Sequence, residues 1–247
     1  MLSFDKVKFS YPGGDTVLDE VSFTINEGER VGMIGANGAG KSTIMKSALG
    51  LVATEGRITV CGLEMNKANL AEIRKMLGYV LQDSDDQMFM PTVIEDMIFG
   101  PMNYGKTREE AEQIADRTLK LLHVEKLKNK HNHKISGGEK RMAAIATVLA
   151  MEPKLMLMDE PSAALDPHNR RMLINVLNDI PVTKLIATHD LDLVLETCDR
   201  VILVNDGKIV ADGETYVILT DRKLLEDNNL ELPFALAGIP KHHIFAK

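Results

Sequence analysis

Eight residues constrain this 247-residue chain more than any others: Gly35-Ala36-Asn37-Gly38-Ala39-Gly40-Lys41-Ser42, of the form GxxxxGK[ST]. A short apolar run, Arg30 to Ile34, precedes them, and a helical stretch from Ser42 to Leu49 follows. Between a strand and a helix, glycines let backbone N–H groups turn inward and wrap phosphate oxygens without Cβ clashes. The N-terminus of the following helix adds a partial positive charge. Lys41 is placed to pair with β- and γ-phosphates, and Ser42 to ligate Mg²⁺. The dinucleotide fingerprint GxGxxG is not met, because the glycines run Gly35-x-x-Gly38-x-Gly40.

The rest of the pattern predicts an α/β chain. Lys6–Ser10, Val21–Ile25 and Arg57–Cys61 read as β-rich runs near the N-terminus, and Tyr79-Val80-Leu81 as a strand end. From Thr92 to about Met151 the pattern turns helical, and Thr107-x-x-Glu110 has the capping-box form. Then strands and helices alternate: Leu155–Met158, a helix around Arg170–Leu177, Lys184–Ala187, a helix around Leu191–Thr197, and Val201–Val204. Asn205-Asp206-Gly207-Lys208 signals a hairpin. Such alternation argues for a mainly parallel sheet with a helical insertion at about residues 88–150. The expected division is a main unit over 1–220 and a short, weakly patterned tail over 221–247.

Two further segments bear chemistry. Leu155-Met156-Leu157-Met158 is continuously apolar, as suits a strand buried on both faces, and it ends in Asp159-Glu160-Pro161. Carboxylates at the carboxyl end of such a strand lie where open α/β sheets bind ligands. Asp159 is suited to hold Mg²⁺ through water, and Glu160 to polarise an attacking water as general base. Ser136-Gly137-Gly138-Glu139 has the form of a capping box, with Ser136 as N-cap and Glu139 reaching back to its N–H. That alone describes a well-capped helix, but two glycines at an exposed helix start also make a good anion site.

With these segments together, the chain resembles the ATP-binding cassette (ABC) ATPases over nearly its whole length. Gly35 to Thr43 matches the Walker A motif, and Leu155 to Glu160 matches Walker B with its catalytic glutamate. Ile135-Ser136-Gly137-Gly138-Glu139 is similar to the LSGGQ signature, with Ile for Leu and Glu for Gln. Ser162-Ala163-Ala164-Leu165-Asp166 resembles the D-loop, Gln82 falls at the Q-loop, and Thr188-His189-Asp190 at the switch-histidine loop. Tyr11 matches the aromatic residue that stacks on adenine. The resemblance implies a RecA-like P-loop core, an N-terminal antiparallel β subdomain and an inserted helical subdomain. It implies ATP and Mg²⁺ as cofactors, held by Tyr11, Gly35, Ala36, Asn37, Gly38, Ala39, Gly40, Lys41, Ser42 and Thr43, with Ser42, Gln82 and Asp159 around the metal. Glu160, His189 and Gln82 would carry hydrolysis. It further implies that two such subunits, identical or paralogous, meet head to tail, so that each ATP lies between one Walker A and the other subunit's Ser136-Gly137-Gly138.

A finer resemblance concerns Leu81 to Phe89 and Pro91 to Pro101, which are similar to the energy-coupling-factor ATPases, especially the cobalt and nickel type. Asp83-Ser84 stands where that group has Asn-Pro before Asp-Asp-Gln. In that group a membrane partner docks in a groove that Gln87 to Gly100 would line here, with Met88, Phe89 and Met90 as exposed, adaptable contacts. No run of about 18 apolar residues exists, so the membrane part is expected in a separate chain. The N-terminus has no long apolar h-region, so no signal peptide is expected. A location at the cytoplasmic face of the membrane, peripherally bound, follows from the resemblance; two distant cysteines, Cys61 and Cys198, fit a reducing compartment.

The alternative is a non-transport ABC ATPase acting on nucleic acid, the ribosome or an assembly scaffold. The net charge of −7 lacks a basic footprint, so no nucleic-acid partner is expected. Neither His131-Asn132-His133 nor His242-His243 has companions at metal-ligand spacing.

Overall fold

A computed structural model describes residues 1–238. The elements in chain order are β1 (Leu2–Ser10), β2 (Thr16–Ile25), β3 (Arg30–Ile34), α1 (Lys41–Ala48), β4 (Glu55–Val60), β5 (Leu63–Glu64), α2 (Leu70–Met76) and β6 (Leu77–Val80). Then follow α3 (Val93–Asn103), α4 (Arg108–Leu121), α5 (Gly137–Leu149), β7 (Leu155–Asp159), α6 (Pro167–Asp179) and β8 (Thr183–Ala187). The described chain ends with α7 (Leu191–Thr197), β9 (Arg200–Asn205), β10 (Lys208–Glu214), α8 (Thr215–Thr220), α9 (Arg222–Asp227) and α10 (Phe234–Ala237). The pair His242-His243 lies outside the described residues.

Two sheets are formed. The N-terminal one is antiparallel, in the order β2-β1-β4-β5. The larger runs β10-β9-β3-β8-β7-β6, with every neighbouring pair parallel except β9 and β10, which close the Asp206-Gly207 hairpin. The α/β architecture with a mainly parallel core, an antiparallel β subdomain and a helical insert is therefore present, the insert being α3 to α5 between β6 and β7.

The period of a strand explains how one sheet serves two cores. Successive side chains of a strand point to opposite faces. On β7, Leu155 and Leu157 pack into a cluster with α1 and the antiparallel sheet, whereas Met156 and Met158 pack into a cluster with α5, α6 and α7. On β8, Leu185 and Ala187 face the first cluster and Ile186 the second. A strand with both faces covered must be apolar at every position, and β7 is buried throughout. The outer sheet covers one face only, and β2 alternates buried with exposed accordingly.

The helical insert is fixed by three capping boxes. Those at Thr107/Glu110 and Ser136/Glu139 were legible in the sequence, and Thr92/Glu95 makes a third at the start of α3. Helix α5 approaches α6 so closely that a Cβ on Gly138 would fall 2.3 Å from the Asn169 side chain. Met88, expected on the surface, is instead buried at 8% exposure in the helical cluster, and the Thr147 hydroxyl lies 3.7 Å from its sulfur. Phe89 keeps its expected exposure, at 65%. Met90, also expected on the surface, is half-buried.

The weakly patterned end is also docked. Leu225 is buried, and Leu224, Leu230, Leu232 and Leu236 pack against the larger cluster. The Asp192 carboxylate of α7 accepts the backbone N–H groups of Phe234 at 3.0 Å and Ala235 at 2.9 Å. These leucines are spread over short helices and coil, so no single period announces them.

Strand β8 also carries a buried charge. Lys184 is fully buried, and its Nζ donates to the carbonyls of Leu177 and, at 2.7 Å, Ile180, which closes the C-terminal end of α6. Burial, reinforced by Arg30, pushes its ammonium pKa down to about 8 from 10.5. Between those values the unfolded chain binds the proton and the native chain does not, so this lysine makes stability rise with pH across that window. Relative to Lys184→Met, the wild-type chain is expected to gain up to about 3 kcal/mol of unfolding free energy across that window, at about 1.4 kcal/mol per unit. Urea unfolding of both chains at a series of pH values checks it; a pH-independent difference would assign the titration to other groups.

Candidate active site

Strands β6, β7, β8 and β3 run parallel as neighbours, so their carboxyl ends share one edge. Everything that follows those ends is brought together: the glycine loop after β3, Asp159-Glu160 at and just past the end of β7, Thr188-His189 after β8, and Gln82 after β6. The edge is stitched by backbone bonds that run from strand to strand, Thr188 N–H to Met33 O at 3.1 Å and Glu160 N–H to Ala187 O at 2.8 Å. This is the edge where open α/β sheets bind ligands.

The result is a cleft of about 350 Å³. One wall is the loop and the first turn of α1, from Asn37 and Gly38 through Gly40, Lys41, Ser42 and Thr43. Gln82, Asp159, Glu160 and His189 form the other, and Val17 of β2 also lines it. Gly35, Ala36 and Ala39 do not line the cleft; they shape the loop behind it. Tyr11 does not line it either. It is 47% exposed, with its ring edge against Phe9 at a centroid distance of 4.8 Å.

The loop fits a polyphosphate. Gly38 and Gly40 have φ of +83° and +109°, a region that L side chains rarely adopt, and a Cβ at Gly38 would meet nothing within 4 Å. Helix α1 has no acidic residue in its first turn and no side-chain cap, so its leading N–H groups are left for an anion. Lys41 is buried, with Nζ donating to Gly35 O at 2.6 Å and Ala36 O at 3.1 Å. Burial lowers its pKa, and the nearby Glu160 and Asp159 carboxylates oppose that. A hydroxyl and a carboxylate, Ser42 and Asp159, are hard oxygen donors of the type Mg²⁺ takes.

Glu160 is the most constrained residue of the site. It is buried, and its backbone is left-handed, with φ of +46°. A side chain in that region costs on the order of 1–2 kcal/mol. Three groups meet its Oε2: the Thr188 hydroxyl donates at 2.8 Å, the His189 backbone N–H donates at 3.3 Å, and His189 Nδ1 lies at 2.9 Å. Among the described residues no hydrogen bond reaches Oε1, so one oxygen is held and the other is left to the cleft.

Three partners here were given no role of their own from the sequence, although Thr188 and Asp190 flank His189 in the segment that resembles the switch-histidine loop. Thr188 holds Glu160; its position one residue before His189 at the end of a buried strand was the available signal. The Tyr79 hydroxyl donates to Asp159 Oδ2 at 3.3 Å, and burial, followed by the Asp159 charge, raises its pKa. Asp190 receives Arg170 at 2.7 Å on each oxygen and the Ser162 hydroxyl at 3.0 Å, which ties the loop before α6 to the end of β8. Burial works against the ionised Asp190 carboxylate, but these bonds outweigh it and lower the pKa.

Ser136, Gly137 and Gly138 do not meet Lys41 within the chain. The Ser136 capping box is closed, with Glu139 N–H donating to Ser136 Oγ at 3.3 Å and Ser136 N–H donating to Glu139 Oε2 at 3.0 Å. Gly137 lines a second opening, of about 720 Å³, whose other walls include Gln82, Asp159 and Ala163 to Leu165. A Cβ at Gly137 would meet nothing within 4 Å.

Comparison with known proteins agrees with this geometry. A family model described as ABC transporter matches residues 18–163. The energy-coupling factor transporter ATP-binding protein EcfA of Carboxydothermus hydrogenoformans is 42% identical over 236 residues, covering 94% of this chain and 87% of that one. The structure of CbiO1 from Clostridium perfringens, described as part of the ABC transporter complex CbiONQ, superposes with a TM-score of 0.81 at 31% identity, covering 92% of this chain and 94% of that one. The ATP-binding cassette MJ0796, solved as a dimer in a post-hydrolysis state with ADP and Pi, superposes with a TM-score of 0.78 at 26% identity, covering 87% and 99%. With its phosphate loop, acidic strand end and capped signature helix in this order and on this fold, the chain belongs to the ABC transporter ATP-binding family, whose members hydrolyse ATP to drive transport.

Proposed function

We propose that this ATPase powers an importer of the energy-coupling-factor type, carrying a metal ion such as cobalt or nickel, or a vitamin, through a separate membrane subunit. The observation that carries the reading is the exposed aromatic pair on the helical insert. Phe89 and Phe99 meet edge to face at 5.0 Å, and both are exposed, seven and seventeen residues after Gln82. An apolar pair of this kind, on the element that leaves the cleft, suits an amphipathic helix of a partner. The Asp85-Asp86-Gln87 segment and the EcfA likeness support the subfamily, and among the described residues no helix is long and apolar enough to cross a membrane. A station at the cytoplasmic face of the membrane follows from that docking.

The lining of the cleft supports the following roles for its residues. The N–H groups of Asn37, Gly38 and Gly40 to Thr43, with Lys41, grip the β- and γ-phosphates of ATP, and Ala39 shapes the loop behind them. Ser42 and Asp159 would hold Mg²⁺, with Gln82 beside them; when bound, Mg²⁺ neutralises phosphate charge and fixes the γ-phosphate for in-line attack. Glu160 Oε1 takes the proton of the attacking water, while Thr188 and His189 hold Oε2 still. Tyr11 is proposed to stack on the adenine. Ser136, Gly137 and Gly138 complete the site in a second ATPase subunit, identical or paralogous, since they do not line this chain's own cleft. Binding of ATP then joins two subunits, and hydrolysis releases them.

Three outcomes test these roles. Glu160→Gln keeps size and most hydrogen bonds but cannot accept the proton; turnover is expected to fall about 10²–10⁴-fold. ATP binding should persist, with a longer-lived ATP-bound dimer by size-exclusion chromatography; normal turnover would remove Glu160 from the base role. Thr188→Val frees one side of Glu160, and kcat is expected to drop about tenfold, the worth of one hydrogen bond to a charged group, with KM for ATP nearly unchanged. Phe89→Asp is expected to abolish co-purification of a membrane subunit from detergent-solubilised membranes while ATP binding by the isolated chain stays intact. Retention of that subunit would locate docking elsewhere.

A further inference from the structure

The chain between Gln82 and the start of α5 holds a buried polar pair that catalysis does not use. Asp96 in the first turns of α3 and Asn132 in the 3₁₀ turn Asn132–Lys134 are exposed by only 2% and 8%. Asp96 Oδ1 accepts the backbone N–H groups of Phe89 at 3.2 Å and Met90 at 3.1 Å. Asn132 Nδ2 donates to Asp96 Oδ2 and, at 2.6 Å, to the Met90 carbonyl.

Both groups that Asn132 meets are acceptors, so only the amide NH₂ can face them, and the orientation of the carboxamide is fixed. The consequence is an orphan: Asn132 Oδ1 is the buried side-chain atom among the described residues that has no hydrogen-bond partner. A buried acceptor without a donor costs free energy that an apolar residue of the same size would not. The group that repays that cost is Nδ2, and what Nδ2 holds is the loop Phe89–Pro91.

The same segment leads to the other half of the ATP site. Asn132 N–H donates to Pro91 O at 3.1 Å, Thr92 bridges to His131, and Val93 N–H donates to Lys130 O at 3.1 Å. After Asn132 the chain makes one 3₁₀ turn, closed by Lys134 N–H to His131 O at 2.9 Å, and then reaches Ser136. Lys130 Nζ stands 3.5 Å from Glu139 Oε1, the carboxylate whose other oxygen caps Ser136. Phe89 at the exposed surface and Ser136 at the helix start are therefore fastened to one node.

We infer that Asp96 and Asn132 are positioning residues that make the Phe89 surface and the Ser136-Gly137-Gly138 helix start move as one unit. A partner that shifts Phe89 then shifts Ser136, and nucleotide that engages Ser136 shifts Phe89, since coupling between two sites is reciprocal. The inference rests on the docking reading for the partner's identity, but the link lies within this chain and is measured without the partner.

The chain has no tryptophan, so Phe89→Trp places a single indole reporter on the surface. A non-hydrolysable ATP analogue with Mg²⁺, titrated into the full chain carrying Phe89→Trp, is expected to change the emission saturably. Adding Asn132→Leu should cut the amplitude at least about fivefold, the low end of typical coupling, with the apparent Kd for the analogue within about twofold. Asn132→Gln keeps a carboxamide NH₂ that can donate to Asp96 and to the Met90 carbonyl and should recover at least about half the amplitude; circular dichroism at the assay temperature separates the loss in Asn132→Leu from loss of fold. An amplitude that survives Asn132→Leu, an Asn132→Gln chain that recovers none of it, or no nucleotide-dependent change in the Phe89→Trp chain overturns the link. Failure of the docking reading is a different result, a membrane subunit that stays bound to Phe89→Asp.

Discussion

The site depends on one constraint: four parallel strands end on the same edge, and each is pinned there by burial on both faces. Period-two packing sends alternate side chains of β7 and β8 into separate cores. Sliding either strand by one residue would exchange its two apolar faces and carry Asp159, Glu160 and Thr188 off the edge. The backbone bonds from Thr188 to Met33 and from Glu160 to Ala187 lock that register where the chemistry begins. The catalytic geometry is thus a by-product of a core that has no freedom to shift.

On that frame the molecule accepts local strain at a carboxylate that lines the cleft. Glu160 sits in a left-handed backbone conformation and is buried beside Lys41. A buried carboxylate needs partners, and Thr188 and His189 supply them on one oxygen only. Further donors on Oε1 would stabilise the charged form and weaken it as a proton acceptor. An oxygen left to the cleft is the state that suits the general-base role proposed for Glu160.

Most residues of the cleft walls were legible in the sequence because the chemistry proposed for them demands particular types at fixed spacing: glycines where φ is positive, a lysine after them, acids at the end of an apolar run. What holds those residues was not. Thr188, Tyr79 and Arg170 act through partners 28, 80 and 20 residues away in sequence, and no periodicity encodes such pairings. Met88 and Phe89 read alike as apolar neighbours, yet Met88 packs into the helical cluster and Phe89 stays at the surface, a difference set by contacts distant in sequence. The docking of Leu225 and its neighbours was hidden because their spacing follows short helices and coil instead of one amphipathic period. Sequence thus reveals groups that meet a ligand more readily than groups that meet each other.

The wall between the two openings joins the cleft to the helix that carries Ser136, Gly137 and Gly138. Gln82 and Asp159 line both the phosphate cleft and the opening at Gly137. Arg141, buried on α5, reaches across to the carbonyls of Gln82 and, at 2.7 Å, Leu81. Burial lowers the pKa of that guanidinium, yet the group stays charged at any physiological pH, so its bonds are strong ones. Gln82 therefore cannot move far without α5, nor α5 without Gln82. In the head-to-tail pair proposed above, loss of a γ-phosphate from the cleft would change what Gln82 faces, and through Arg141 that change would arrive at the helix whose tip grips the neighbouring subunit's nucleotide. Each cleft would then report to the opposite one by this route, which would make release of the two sites a joint event instead of two independent ones.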